Sequence, residues 1–113
     1  MEKIARYQTI VKERLQKFVH QGDSYPVKEY EIFDDQHGHY QIVRVGWTPK
    51  NKFVLEIVIY IQVRTDDGKV WIWANWTEHD LATELIQAGI DKTEIVLGFL
   101  PEYARHYAEA SVA

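Results

Sequence analysis

The run "FVLEIVIYIQV", residues 53–63, constrains this chain more than any other stretch. β-branched and aromatic side chains dominate it, and these suit a pleated surface but crowd the turns of a helix. Phe53, Leu55, Ile57, Ile59, Ile61 and Val63 occupy alternate positions, so a regular strand puts them all on one face without a polar interruption. Val54, Glu56, Val58, Tyr60 and Gln62 take the other face. The run predicts a central strand with one face wholly buried, inside a sheet.

Its neighbours supply that sheet. "VKEYEIF" alternates Tyr30 and Ile32 with charges, "DDQHG" is a hairpin turn, and "HYQIVRVGW" is the returning strand. "TPKNK" and "RTDDGK" are further turns, the second with Asp67-Gly68 suited to positive φ. "VWIWANW" closes a four-stranded antiparallel meander. In that last strand Trp71 and Trp73 face one way, and Val70, Ile72, Ala74 and Trp76 face the other.

Helical periodicity flanks the meander. Ile4, Tyr7, Val11, Leu15 and Phe18 recur at steps of three or four over residues 3–20, and "HQGDSYP" ends that long N-terminal helix. After the meander, Thr77 and Asp80 resemble a capping box with Glu78 in the first turn. Leu81, Leu85 and either Ala82 or Ile86 form the apolar side, and Gly89 closes the helix. "DKTEIVLGFL" predicts a tight turn and a short buried strand, and Pro101 begins a short C-terminal helix carrying Tyr103, Arg105 and Tyr107. The fold class is α+β, in one domain over residues 1–113. The long helix covers one sheet face; the C-terminal elements or a second subunit cover the other.

Composition narrows the chemistry. The absence of cysteine removes disulfides, thiolate metal sites and a cysteine nucleophile, and favours a reducing, cytoplasmic setting. The amphipathic N-terminus lacks a signal peptide's apolar region, and the longest apolar run is too short to cross a membrane. Net charge is −4, but residues 1–20 carry +3 and residues 77–113 carry −5. A weakly acidic chain is poorly suited to autonomous duplex binding, whereas charge asymmetry suits self-association or a protein partner.

No catalytic, cofactor or metal residues are assigned from the sequence. Asp34, Asp35, His37 and His39 offer imidazole and oxygen ligands, and the H-x-H pair shares a strand face, yet no distant ligands complete a site. Glu78, His79 and Asp80 point about 100° apart on a helix and cannot converge. His20 and His106 stand alone, and Ser24 and Ser111 lack a hydrolase elbow. Glu56, interrupting a buried run, is expected to pair with Arg44 or Arg64. Two alternatives remain: a small-ligand or metal-binding enzyme at the His37/His39 turn, and a DNA-binding regulator using the basic residues of the first helix.

"VGW" at 45–47, "GKVWIW" at 68–73, "TE" at 77–78 and "ELIQAGIDKTEIVLGF" at 84–99 together resemble the XisI family, the fdxN-element excision controlling factors of cyanobacteria. The likeness spans nearly the whole chain, from "YQTIV" to the closing "VA". Leu100 stands where the family usually has His, and Asp91 where it tends to have Pro. The resemblance implies an α+β accessory protein beside a site-specific recombinase and a nuclease-like companion, XisH, in excision of a DNA element during heterocyst differentiation. It supplies no catalytic residues. The expectation is a non-enzymatic, homodimeric protein that binds a XisH-like partner, with indirect association with a recombinase–DNA system. Trp71, Trp73, Pro101, Tyr103 and Arg105 are the expected contact residues, since Trp, Tyr and Arg anchor interfaces.

Overall fold

The computed structural model of the protein describes residues 2–19 and 26–106. Its elements are α1 (Glu2–Gln16), β1 (Val27–Asp34), β2 (His39–Trp47), β3 (Phe53–Val63), β4 (Val70–Asn75), α2 (Leu81–Gln87) and β5 (Ile95–Leu97). The strands form one sheet in the order β1-β2-β3-β4-β5. The first four are the expected antiparallel meander. The short strand after α2 does not stand apart from it: β5 joins the sheet parallel to β4, with α2 as the crossover that a parallel pair requires.

Both helices feed one core. Tyr7, Val11 and Leu15 of α1, and Leu81, Ala82 and Leu85 of α2, pack with Tyr40, Ile42, Ile59, Ile61, Val63, Val70 and Ile72 of the sheet. These strand residues are cross-strand partners of one another, so they share one face, called here the helix face. No helix of the described residues is long and apolar enough to cross a membrane.

The largest departure from simple alternation lies in β3. Ile42 pairs with Ile59 and Val43 with Ile57, so Val58 is an extra residue at a β-bulge. A one-residue slip sends every following side chain to the opposite face. Ile59, Ile61 and Val63 are therefore buried on the helix face, whereas Phe53, Leu55 and Ile57 emerge on the other face and are exposed. The predicted wholly buried face of β3 is thus buried only in its second half. A second register shift skips Trp73, so that Ala74 pairs with Tyr60 and leaves the face of Val70 and Ile72. Tyr30 and Ile32 of β1 lie on the same outer face as Ile57 and are exposed, while Glu29 on the helix face is buried.

Local signals moved by a few residues. α1 ends at Gln16, ahead of the expected stop, and a tighter turn brings Phe18 edge-on to His79 at 4.7 Å. Of the expected stop signal, residues 20–25 lie outside the described residues. The α2 N-cap is Asp80 rather than Thr77, its carboxylate accepting from the Thr83 amide at 3.2 Å and the Thr83 hydroxyl at 2.8 Å. Glu78 therefore precedes the helix, and Thr77 instead donates its hydroxyl to Asn75 at 2.6 Å. Gly89 closes α2 as expected: at φ 124° it lets its own amide reach Ile86 O and the Ile90 amide reach Leu85 O, a Schellman arrangement. The expected C-terminal helix is a single 3₁₀ turn, Glu102–Ala104, after Pro101. Arg105 caps that turn, and Tyr107 lies outside the described residues.

Candidate functional site

Trp71 and Trp73 lie on the outer face at β4. Their rings stack at 5.1 Å with an interplanar angle of 23°. Each indole is held by its polar edge: Trp71 Nε1 donates to Asp67 Oδ2 at 3.1 Å and Trp73 Nε1 to Gln62 Oε1 at 3.0 Å. The guanidinium of Arg64 sits 4.7 Å from the Trp71 ring centre and that of Arg105 5.5 Å from it. Arg64 is itself paired with Asp66 at 2.6 Å. These contacts need the hairpin after β3, which carries Arg64, Asp66 and Asp67 together.

The chain after β5 folds across this pair. The Gly98 amide donates to Ile72 O at 2.8 Å and extends the ladder beside β4. A β-carbon at Gly98 would stand 2.7 Å from Trp73 Cε3, so only glycine permits so close an approach. Arg105 returns through its Nε to Leu100 O at 3.2 Å, while its carbonyl accepts from the Leu97 amide at 2.6 Å. Trp71, Trp73 and Arg105 are thereby brought together and half-buried, whereas Pro101 and Tyr103 project outward, Tyr103 at 88% exposure. Beside them Trp73, Asn75, Trp76 and Phe99 line a cavity of about 490 Å³. Trp76 and Phe99 were not among the sequence-derived contact residues. Trp76, 82% exposed, lies just past the end of β4.

The other sequence candidates are engaged elsewhere. His37 Nδ1 is 2.8 Å from Asp34 Oδ2, whereas His39 Nδ1 meets the Tyr60 hydroxyl at 2.7 Å. Asp35 accepts from Lys12 at 2.9 Å and from the Tyr40 hydroxyl at 2.8 Å; these bonds, that of Lys12 first, hold its carboxyl below the usual aspartate pKa. Among the described residues no three His, Asp or Glu side chains stand where they could hold a metal ion. Glu56 pairs with Arg44 at 3.0 Å, as its place in the run suggested, and Arg44 also holds the buried Glu29 at 2.8 Å.

The basic residues of α1 are turned onto their own chain. Lys3 pairs with Glu94, Lys12 with Asp35, and Arg14 with Glu84 at 3.4 Å, while Arg6 donates to Gly89 O at 3.2 Å. Tyr7 also donates to Glu94. Burial raises the Glu94 pKa, but the hydrogen bonds from Lys3 and Tyr7 outweigh it and leave the carboxyl below its ordinary value. The charge contrast between the two ends of the chain therefore clamps α1 to α2 and the residues around Glu94.

A model of the XisI protein family matches residues 1–112. The chain belongs to the XisI family. Two solved structures agree, both of proteins from Anabaena variabilis ATCC 29413. A XisI-like protein is 32% identical, with a TM-score of 0.82 over 92% of this chain and 94% of that one. The fdxN element excision controlling factor XisI is also 32% identical, with a TM-score of 0.76 over 91% of this chain and 92% of that one. No curated protein matches the chain. Against the XisI pattern expected from the sequence, Asp91 caps a 3₁₀ turn by accepting from the Thr93 amide at 2.9 Å. Leu100, at the usual His position, leaves its carbonyl to Arg105.

Proposed function

We propose that this protein is a XisI-type excision controlling factor that acts in the cytoplasm by binding rather than catalysis, and that its partner is a XisH-like protein. Membership of the XisI family, with 32% identity to a structure named as the fdxN element excision controlling factor, carries the reading. The docking surface is the aromatic corner at the end of β4. Trp71, Trp73 and Arg105 form its base, while Pro101 and Tyr103, with Trp76 and Phe99, form its contact edge. Rigid aromatic side chains give contact area at small entropic cost, and Tyr, Trp and Arg are the usual interface anchors.

Co-expression with a XisH-like protein tests this, the mass of the co-purified species being the readout. A mixed complex is expected, and Tyr103→Ala and Trp76→Ala should each weaken it at least ten-fold without changing the melting temperature. A wild-type chain that never co-purifies with a XisH-like protein removes the partner assignment. A complex indifferent to both substitutions moves the surface elsewhere.

A further inference from the structure

The Val58 bulge inverts the polarity of the sheet. Beyond the bulge, toward Val63, the helix face is apolar and buried, and the outer face carries Gln41, Tyr60 and Gln62. Before it, Glu29, Arg44 and Glu56 form an ionic ladder on the helix face, and the apolar residues emerge outside. Tyr30, Trp47, Phe53, Leu55 and Ile57 are all exposed there, Leu55 at 65% and Trp47 at 59%, and exposed Ile32 adjoins them beside Gln41. Trp47 and Phe53 pack at 5.0 Å and close one end of the patch. Among the described residues, the chain after β5 covers only the Trp71/Trp73 corner, and this half of the outer face stays exposed.

From this inversion we infer that the outer face of β1–β3 is a homodimer interface, occupied by the same face of a second copy. Half-exposed large apolar side chains contribute on the order of 100 Å² each, so the patch presents about 600 Å² of apolar surface. With its polar rim it reaches the roughly 800 Å² per partner of a stable interface. The acids of this half, Glu29, Glu31 and Glu56, all project from the opposite face, and Lys28 on the edge strand marks the rim. An apolar surface with no charge at its centre is complementary to itself, whereas a charged partner would bury ions against Leu55 and Ile57 without compensation. Two such sheets pack face to face about 10 Å apart as an aligned sandwich. This does not rest on the XisH-like partner: it uses residues away from the aromatic corner.

Sedimentation and light scattering of the isolated full chain test the inference. At 50 µM, the wild type should have twice the 13.3 kDa chain mass. Leu55→Arg, at an exposed position, should weaken association at least 100-fold while its circular dichroism stays native; Tyr103→Ala should leave the dimer intact. If Leu55→Arg does not fold, Leu55→Ser replaces it, with a ten-fold weakening expected. A monomeric wild type overturns the inference, as does a dimer that survives these Leu55 changes or falls apart with Tyr103→Ala. A monomer that forms only a Leu55-dependent complex with the XisH-like protein assigns the face to that partner and equally overturns the second copy.

Discussion

Gly98→Ala is the most direct test of how the chain after β5 is held. The added methyl group would stand 2.7 and 2.9 Å from two atoms of the Trp73 ring, close enough that something must shift, and a tight 3.0 Å from a third. Trp73 has little freedom to give way, being stacked on Trp71 and bonded to Gln62. Gly98 does not have a positive φ, so the cost is one of overpacking and not of backbone strain. Inserting one carbon into a packed contact costs about 1–3 kcal/mol, and the immobile ring argues for about 2 kcal/mol. For a chain of this length that lowers the melting temperature by on the order of 8 °C. Urea unfolding followed by tryptophan fluorescence measures it. Trp73→Leu should abolish the penalty, so the double-mutant cycle should return a coupling close to the whole single-mutant effect. A Gly98→Ala chain within about 0.5 kcal/mol of wild type would show that the ring moves freely, and would refute the account of a rigid aromatic corner.

Two further perturbations probe the ionic contacts. Glu94 has a folded-state pKa below its ordinary 4.5, so the unfolded chain binds more protons and the stabilisation is present above that value and lost as pH falls through the lower folded pKa. Urea midpoints should drop from pH 5 toward pH 2, and Glu94→Gln should flatten that slope; an unchanged slope would remove Glu94 from the acid response. Arg44→Met removes the contacts of Arg44 with the buried Glu29 and should cost about 2 kcal/mol, less than for a fully buried pair because Arg44 still reaches water. Adding Glu29→Gln should restore most of the loss in chemical denaturation; no recovery would mean that the ionic ladder contributes only through packing.

Short-range patterns were legible because they are written in consecutive residues. The helical steps of Tyr7, Val11 and Leu15, the three hairpin turns and the Gly89 stop each satisfy backbone bonds locally, and the structure places them close to where the spacing did. That Glu56 needs a cation was equally readable, since a lone acid in an apolar strand calls for one nearby, but the spacing left Arg44 and Arg64 open and the pairing of β2 with β3 selects Arg44. Asp80 was misread as the third residue after the cap because Thr77 also has capping chemistry, and only the path of the chain after β4 selects between them.

At the candidate site, the sequence pointed to Trp71, Trp73 and Arg105, and the fold gathers them by bringing the chain after β5 across β4. Trp76 and Phe99 were missed because their exposure depends on where β4 stops and where the chain after β5 turns away.

By itself, then, the sequence determined the family, the α+β class and the central strand, because residue type and spacing are local quantities. Tertiary structure decided which way that strand faces. One extra residue at Val58 has no local signature beyond the mixture of Val54, Glu56 and Val58 in one alternating set, yet a period of two turns a single slip into a change of face. That slip divides the apolar run into a half that builds the core and a half left outside.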